Sequence, residues 1–217
     1  QDSRAYLDFA LDNDPENVAC LLEVGLLRQD MGTFALSDEA RRRELDEALI
    51  CFERALQIAP WNPKIIVSFA TAERLAGKTE SAANRLDALL RRLPDNDYAG
   101  HALALCDRDL GRETAMTARL RAIHDARRGR NLPVLFSLIE IMIKNGQTDD
   151  ARQVLQDVVR HKIRDMAAIK RIETLLEAAR LFVILDDKTA ATEAIEEAKR
   201  IDPDNLRISW FMERWKI

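Results

Sequence analysis

Residue types able to carry chemistry are present, but their spacing does not assemble a reactive site. Ala76-Gly77-Lys78-Thr79 has the lysine and hydroxyl that end a phosphate-cradling loop; that loop also needs a glycine five residues before Gly77, where Ala72 stands, and a preceding strand. The tetrapeptide therefore predicts a turn between helices. Asp12, Asp14 and Glu16 alternate like the acids of a calcium loop, yet no glycine supplies its sharp bend, and the phrase recurs as Asp202-Pro203-Asp204-Asn205. Such repetition points to Asp and Asn side chains capping the helix that follows. His101, His124 and His161 stand 23 and 37 residues apart, without neighbouring cysteines and outside any HExxH pattern, so no metal centre is expected. Cys20, Cys51 and Cys106 are odd in number and lack ligand spacing, which reads as buried, reduced thiols and favours a reducing compartment such as the cytoplasm. With no Ser/His/Asp or Cys/His signature either, neither catalysis nor a cofactor is expected.

The elements that would position these residues are helices. The chain of 217 residues holds only seven Gly and six Pro, and its β-branched residues are scattered. A hydrophobic fraction of 47% suffices for a core, and 32% charged residues suit solvated helix faces. The longest apolar run, residues 132–143, is broken by Ser137 and Glu140 and falls short of the ~20 residues of a membrane span, so it reads as a core helix. Net charge is uneven, at −7 over residues 1–60, +6 over 61–171 and −3 over 172–217. The basic middle lacks the dense cationic face and interleaved aromatics of a nucleic-acid binder.

Residues 63–96 are the clearest unit. Ile66, Phe69, Ala70 and Leu75 recur at helical spacing, and a second series follows at Ala82, Leu86, Leu89 and Leu90. Gly77 separates the two helices with a left-handed exit and Pro94 stops the second. The unit is a helical hairpin, and Ala70 and Ala82 are expected where its two backbones approach. Gly77, Gly111 and Gly146 lie 34 and 35 residues apart, and Pro60 and Pro94 lie 34 apart, so the hairpin repeats.

On these residues the chain resembles the tetratricopeptide repeat (TPR) family, whose pattern is a bulky residue, then Leu and a small residue, then Ala with an aromatic four later, then Pro. Ala48, Phe52, Ala55 and Pro60 match its second helix well, as do Ala191, Ile195, Ala198 and Pro203 near the end. The resemblance implies an all-α fold, an α-solenoid with a right-handed superhelical path, forming one domain over residues 1–217. Its expected parts are a half-repeat at 1–17, an expanded repeat at 18–62, repeats at 63–96 and 97–131, a repeat plus linker at 132–171, a repeat at 172–205 and a capping helix at 206–217. The half-repeat, with Leu7, Ala10 and Pro15, suggests protein before Gln1 or packing elsewhere. The 11 extra residues of the expanded repeat are expected around 32–45, as a helix capped by Ser37 and lengthened by about three turns or as a projecting contact surface. Residues 165–171 are expected to extend the first helix of the last repeat. The tyrosine of the family's first helix is replaced by Arg28, Glu73 and Asp107, which predicts irregular packing there or a divergent member of the family.

By the same resemblance the chain is expected to be a non-enzymatic protein–protein interaction scaffold that holds a polypeptide segment along its first helices. The alternative is a regulatory or targeting domain of a larger enzyme, such as a glycosyltransferase, or of a secretion or envelope-assembly component. The groove residues implied are Leu22, Leu26, Lys64, Val67, Thr71, Arg74, Tyr98, His101, Leu105, Arg108, Phe136 and Glu140. Arg74 and Arg108, 34 residues apart, are expected to point the same way and bracket an acidic, amphipathic segment. The Lys/Asn clamp of co-chaperones is absent, since Leu22, Glu23, Leu26, Val67, Ser68 and Thr71 stand at its places, so the Hsp70/Hsp90 C-terminus is not the expected ligand. Arginines ending successive repeats, among them Arg91, Arg92, Arg128, Arg160 and Arg164, would form a basic ridge or simply complement helix C-termini.

Overall fold

The computed structural model describes residues 9, 11 and 13–215. The half-repeat expected over residues 1–17 therefore lies mostly outside the described residues. The chain divides into two compact units, residues 1–119 and 120–217.

In the first unit, α1 (Val18–Thr33) pairs with α2 (Asp38–Ile58), α3 (Pro63–Leu75) with α4 (Thr79–Arg92), and α5 (Asp97–Asp109) packs on both α3 and α4. Helix α6 (Glu113–Ala126) contains the division between the units. The second unit contains α7 (Leu132–Lys144), α8 (Thr148–Asp157), α9 (Ala168–Ile184), α10 (Lys188–Ile201) and α11 (Leu206–Trp215). There α7 packs on α8 and α9, α9 on α10, and α11 on both α9 and α10. No strand occurs among the described residues, and none of their helices is long and apolar enough to cross a membrane.

Local chemistry sets the helix starts. Asn17, Asn62, Asn96 and Asn131 each precede a first helix, and each side-chain oxygen accepts a backbone N–H of the first turn, at 3.0 Å for Cys20, Lys64 and Ala99 and 3.3 Å for Val134. Asn205 does the same for Arg207 at 3.1 Å. Where the acidic phrase recurs, Asn205 is the cap, and its Nδ2 donates to Asp202 Oδ2 at 3.0 Å. Gly77 turns the chain between α3 and α4 at φ +81°, and its Lys78 opens α4 with no strand before it. Asp186 takes the equivalent left-handed place between α9 and α10 at φ +56°.

The expanded repeat departs from expectation. Ser37 does cap α2, accepting from Ala40 N at 3.2 Å, but the insertion is shared. Helix α2 has 21 residues against 14 in α4, and α1 has 16 against 13 in α3, so the gain is two turns in one helix and most of a turn in its partner. The two lengthened ends meet through Leu45 of α2 at Gly32 of α1 and through Glu44 at Arg28. Gly32 serves that contact: a Cβ there would lie 2.9 Å from Leu45 Cγ. Of the linker, only residues 168–171 join α9; residues 165–167 form a turn before it.

Each core of the first unit joins a hairpin to the first helix that follows it. Leu21, Ala48, Phe52 and Ile65 form one cluster and Ala70, Ala82, Leu86 and Leu103 the next, with Ala70 and Ala82 both at 0% exposure where their helices meet. The second unit is held by one larger cluster that includes Ile139, Leu155, Leu175, Phe182 and Ile195. Ile208 and Phe211 bring α11 into it, with Phe211 stacked on Trp215 at 6.0 Å between centroids.

The three residues that replace tyrosine build ion pairs across their hairpins. Arg28 Nη1 of α1 lies 2.7 Å from Glu44 Oε2 of α2. Glu73, 5% exposed, receives Arg85 Nε and Nη2, each at 2.9 Å, and the Ser81 hydroxyl at 2.8 Å, while the Arg85 guanidinium lies 4.1 Å over the Phe69 ring. Asp107, also buried, receives Arg119 Nε at 3.3 Å. A buried carboxylate is tolerable only with such donors, so the expected irregular packing is in fact a specific clasp.

Candidate functional site

Two first helices of the first unit present matching stripes. Lys64, Val67, Thr71 and Arg74 of α3 recur 34 residues later as Tyr98, His101, Leu105 and Arg108 of α5, at steps of three and four residues that keep each set on one helix face. Asn62 and Asn96 fix where each stripe starts, and direct packing of α3 on α5 sets them side by side.

Charge on this face is largely satisfied within the chain. Lys64 Nζ lies 3.2 Å from Glu23 Oε1 of α1, joining α1 to α3. Arg74 Nη1 lies 2.8 Å from Asp109 Oδ2, joining α3 to α5, and Arg108 Nε approaches the other oxygen of Asp109 at 3.1 Å. Partial burial raises the Asp109 pKa, but hydrogen bonds and charge from Arg74 and Arg108 outweigh it and hold the carboxyl below its usual range. The two arginines do converge, and the acid between them is Asp109. Beneath them Cys106 is buried, and desolvation pushes its thiol up to about 11, keeping it protonated and unreactive at neutral pH.

The remaining expected residues divide by burial. Leu22 and Phe136 do not line a groove: each is only 6% exposed and belongs to a core cluster, because its place on the helix faces the partner helix rather than solvent. Leu26 and Val67 are half-buried against those cores, and Leu105 is half-buried on α5. The Thr71 hydroxyl donates to Val67 O at 2.8 Å, so it is turned toward its own helix. Tyr98 is 79% exposed. Glu140, in the second unit, is paired with Arg180, which also holds Glu177 at 2.6 Å. Burial alone would lower the Arg180 pKa, but these two carboxylates raise it.

Sequence reasoning missed the acids and bases that complete this pattern. Glu23–Lys64, Arg74–Asp109, Glu140–Arg180 and Glu173–Arg207, the last at 2.8 Å, each join one first helix to the next within its unit. The only sequence signal was their separation of 34–41 residues, about one repeat. Of the basic ridge, Arg92 is engaged, its guanidinium 3.7 Å over the exposed Trp61 ring. Among the described residues no group of three His, Cys, Asp or Glu is placed to hold a metal ion.

No protein-family model matches the sequence, and no curated protein does. Solved structures do match in fold. A thermophilic TPR protein of Thermus thermophilus, TTC0263, superposes with TM-score 0.66 at 20% identity, over 92% of this chain and 97% of that one. PilW, a type IV pilus biogenesis factor, gives 0.58 at 19% identity over 96% and 88%. A tetratricopeptide repeat protein of Parabacteroides merdae gives 0.60 at 19% identity over 97% and 76%.

Proposed function

We propose that this chain, which has the tetratricopeptide-repeat fold, is a non-enzymatic interaction scaffold that holds a polypeptide segment on the first-helix face of its first unit. The observation that supports this reading is the repeated stripe on α3 and α5: half-buried Val67 between Lys64 and Arg74, and half-buried Leu105 between Arg108 and a Tyr98 that is 79% exposed. A segment laid across both helices would cover these apolar side chains and the tyrosine ring, the kind of anchor that dominates interfaces. Because Asp109 already occupies the space between Arg74 and Arg108, acidic side chains of the ligand would meet the outer sides of Lys64 and Arg108, whose side chains are 62% and 44% exposed. The segment is therefore amphipathic and moderately acidic.

A photo-crosslinking residue placed at Tyr98 or Thr71 should capture one polypeptide through a defined peptide, and the same residue at Glu53, exposed on α2, should not. Equal capture from both faces would remove the site from α3 and α5. A second reading, a domain serving a larger enzyme or an envelope-assembly component, draws on the likeness of fold to a type IV pilus biogenesis factor. A catalytic domain in the full reading frame would favour the enzyme-associated form of that reading.

A further inference from the structure

The second unit contains a cleft of about 570 Å³ between the end of α8, the start of α9, and α10. Its volume falls in the range typical of ligand sites, roughly 300–1,000 Å³. Helix α8 does not end conventionally but widens into a π-helical turn over Val158–Lys162, a rare form that concentrates at functional sites. That turn and the residues after it place Arg160 and Arg164 on the cleft wall while Ile163 is buried at 1% exposure. Arg171 and Arg200 line the other side, and both donate to Glu197, one to each carboxylate oxygen.

Four arginines thus face two glutamates, Glu193 and Glu197, leaving the cleft at +2. Arg160 and Arg164 have no acidic partner among the described residues, and Arg171 Nε is shielded from solvent without an acceptor. Between the charges, half-buried Val159 and Ala190 supply the apolar surface, over Phe182 and Ala194 of the core. A free inorganic anion has no use for that surface, whereas a carboxylate-bearing chain with an aliphatic side chain satisfies both parts. Guanidinium forks bind carboxylates bidentately, and Glu197 between Arg171 and Arg200 shows how a carboxylate is held by arginines within the cleft itself.

We infer that this cleft is a second binding site, for a short acidic polypeptide segment that carries an aliphatic side chain, independent of the face formed by α3 and α5. The acids of the segment pair with Arg160 and Arg164, and its aliphatic side chain covers Val159 and Ala190.

The test uses the full chain and a fluorescein-labelled synthetic octapeptide of alternating Glu-Glu-Leu-Glu blocks, followed by anisotropy at low salt. Saturable binding is expected. It should weaken at least tenfold in the double variant Arg160→Glu/Arg164→Glu, remain within twofold in the control Arg91→Glu/Arg121→Glu, and be absent for the peptide with Gln in place of Glu. Circular dichroism should show both variants folded, because all four positions are exposed. Ala190→Trp, which fills the cleft without changing charge, should also abolish binding. No saturable binding, an equal loss in the control, an undiminished affinity in Ala190→Trp, or displacement by inorganic phosphate at the same concentration as by unlabelled peptide would each overturn the inference.

Discussion

Arg74 Nη1 and Asp109 Oδ2 lie 2.8 Å apart, and this contact makes Arg74 a structural residue before it is a binding one. Its side chain is only 14% exposed, so Arg74→Glu would set a carboxylate against Asp109 in a half-closed site. Such a variant should lose about 1–3 kcal/mol of stability, whereas Arg108→Glu, more exposed, should lose less. Urea titrations of the two single variants check the order.

The Asp109 carboxyl gives a pH test. Its folded pKa lies below the ordinary value of 3.8, so its contribution is present above that value and is lost as the pH falls through the folded pKa. Asp109→Asn should therefore be less stable than the parent at pH 7 by about 1 kcal/mol, and the gap should narrow as the pH falls below 3.8. A constant difference between pH 7 and 2.5 would assign the effect to packing instead.

Glu73 is buried while the Arg85 side chain keeps 31% exposure, so the two halves of their clasp are not equivalent. Arg85→Ala strands a buried carboxylate and should cost about 2–4 kcal/mol; Glu73→Ala leaves an arginine that still stacks on Phe69 and reaches water, and should cost about half as much. A double-mutant cycle measures the coupling. The reverse order of costs would refute the clasp as described.

A Cβ at Gly25 would lie 2.5 Å from Phe52 Cε1, whose ring is fully buried. Gly25→Ala should cost about 1–3 kcal/mol, and a smaller residue at position 52 should recover part of it. At the α9–α10 turn, Asp186 holds φ +56°, where Gly77 stands in the α3–α4 hairpin. Asp186→Gly should stabilise the second unit by about 0.5–1 kcal/mol. Thermal unfolding reads both.

Cys106 is protected both by burial and by a pKa near 11. A thiol reagent at pH 8 should modify Cys20 and Cys51, which are half-buried, before Cys106, which should react only with global unfolding. Its unfolded thiol ionises near 9 and its folded one near 11, so it contributes stability below pH 9 that is lost as the pH rises between those values.

What the sequence made legible was local or periodic. The Asn caps, the glycine exit at Gly77 and the hairpin period each depend on residues within one turn or on spacing repeated along the chain. The identity of the clasp was not legible, because Glu73 and Arg85 meet across a hairpin 12 residues apart and nothing in either helix alone marks the pair. The stripe containing Arg74 and Arg108 could be read from the period, but Asp109 between them could not, since an adjacent acid normally faces away on a helix. Leu22 and Phe136 were placed on the open face by register alone, and the helix crossing turns them inward. The insertion around Ser37 was visible by count, but its division between α1 and α2 follows from packing, which a count cannot show.

The clasps also differ in polarity along the chain, and this bears on which helices can pair while the protein is being made. Arg28 of α1 meets Glu44 of α2, whereas Glu73 of α3 meets Arg85 of α4. A nascent chain that joined α1 to α4 would bring arginine to arginine, and one that joined α3 to α2 would bring glutamate to glutamate, each with its partner cation or anion lost. Like charge at a desolvated contact is a strong rejection of the wrong mate. The reversed sign therefore works as a key that keeps two otherwise similar hairpins from exchanging helices, within one molecule or between two.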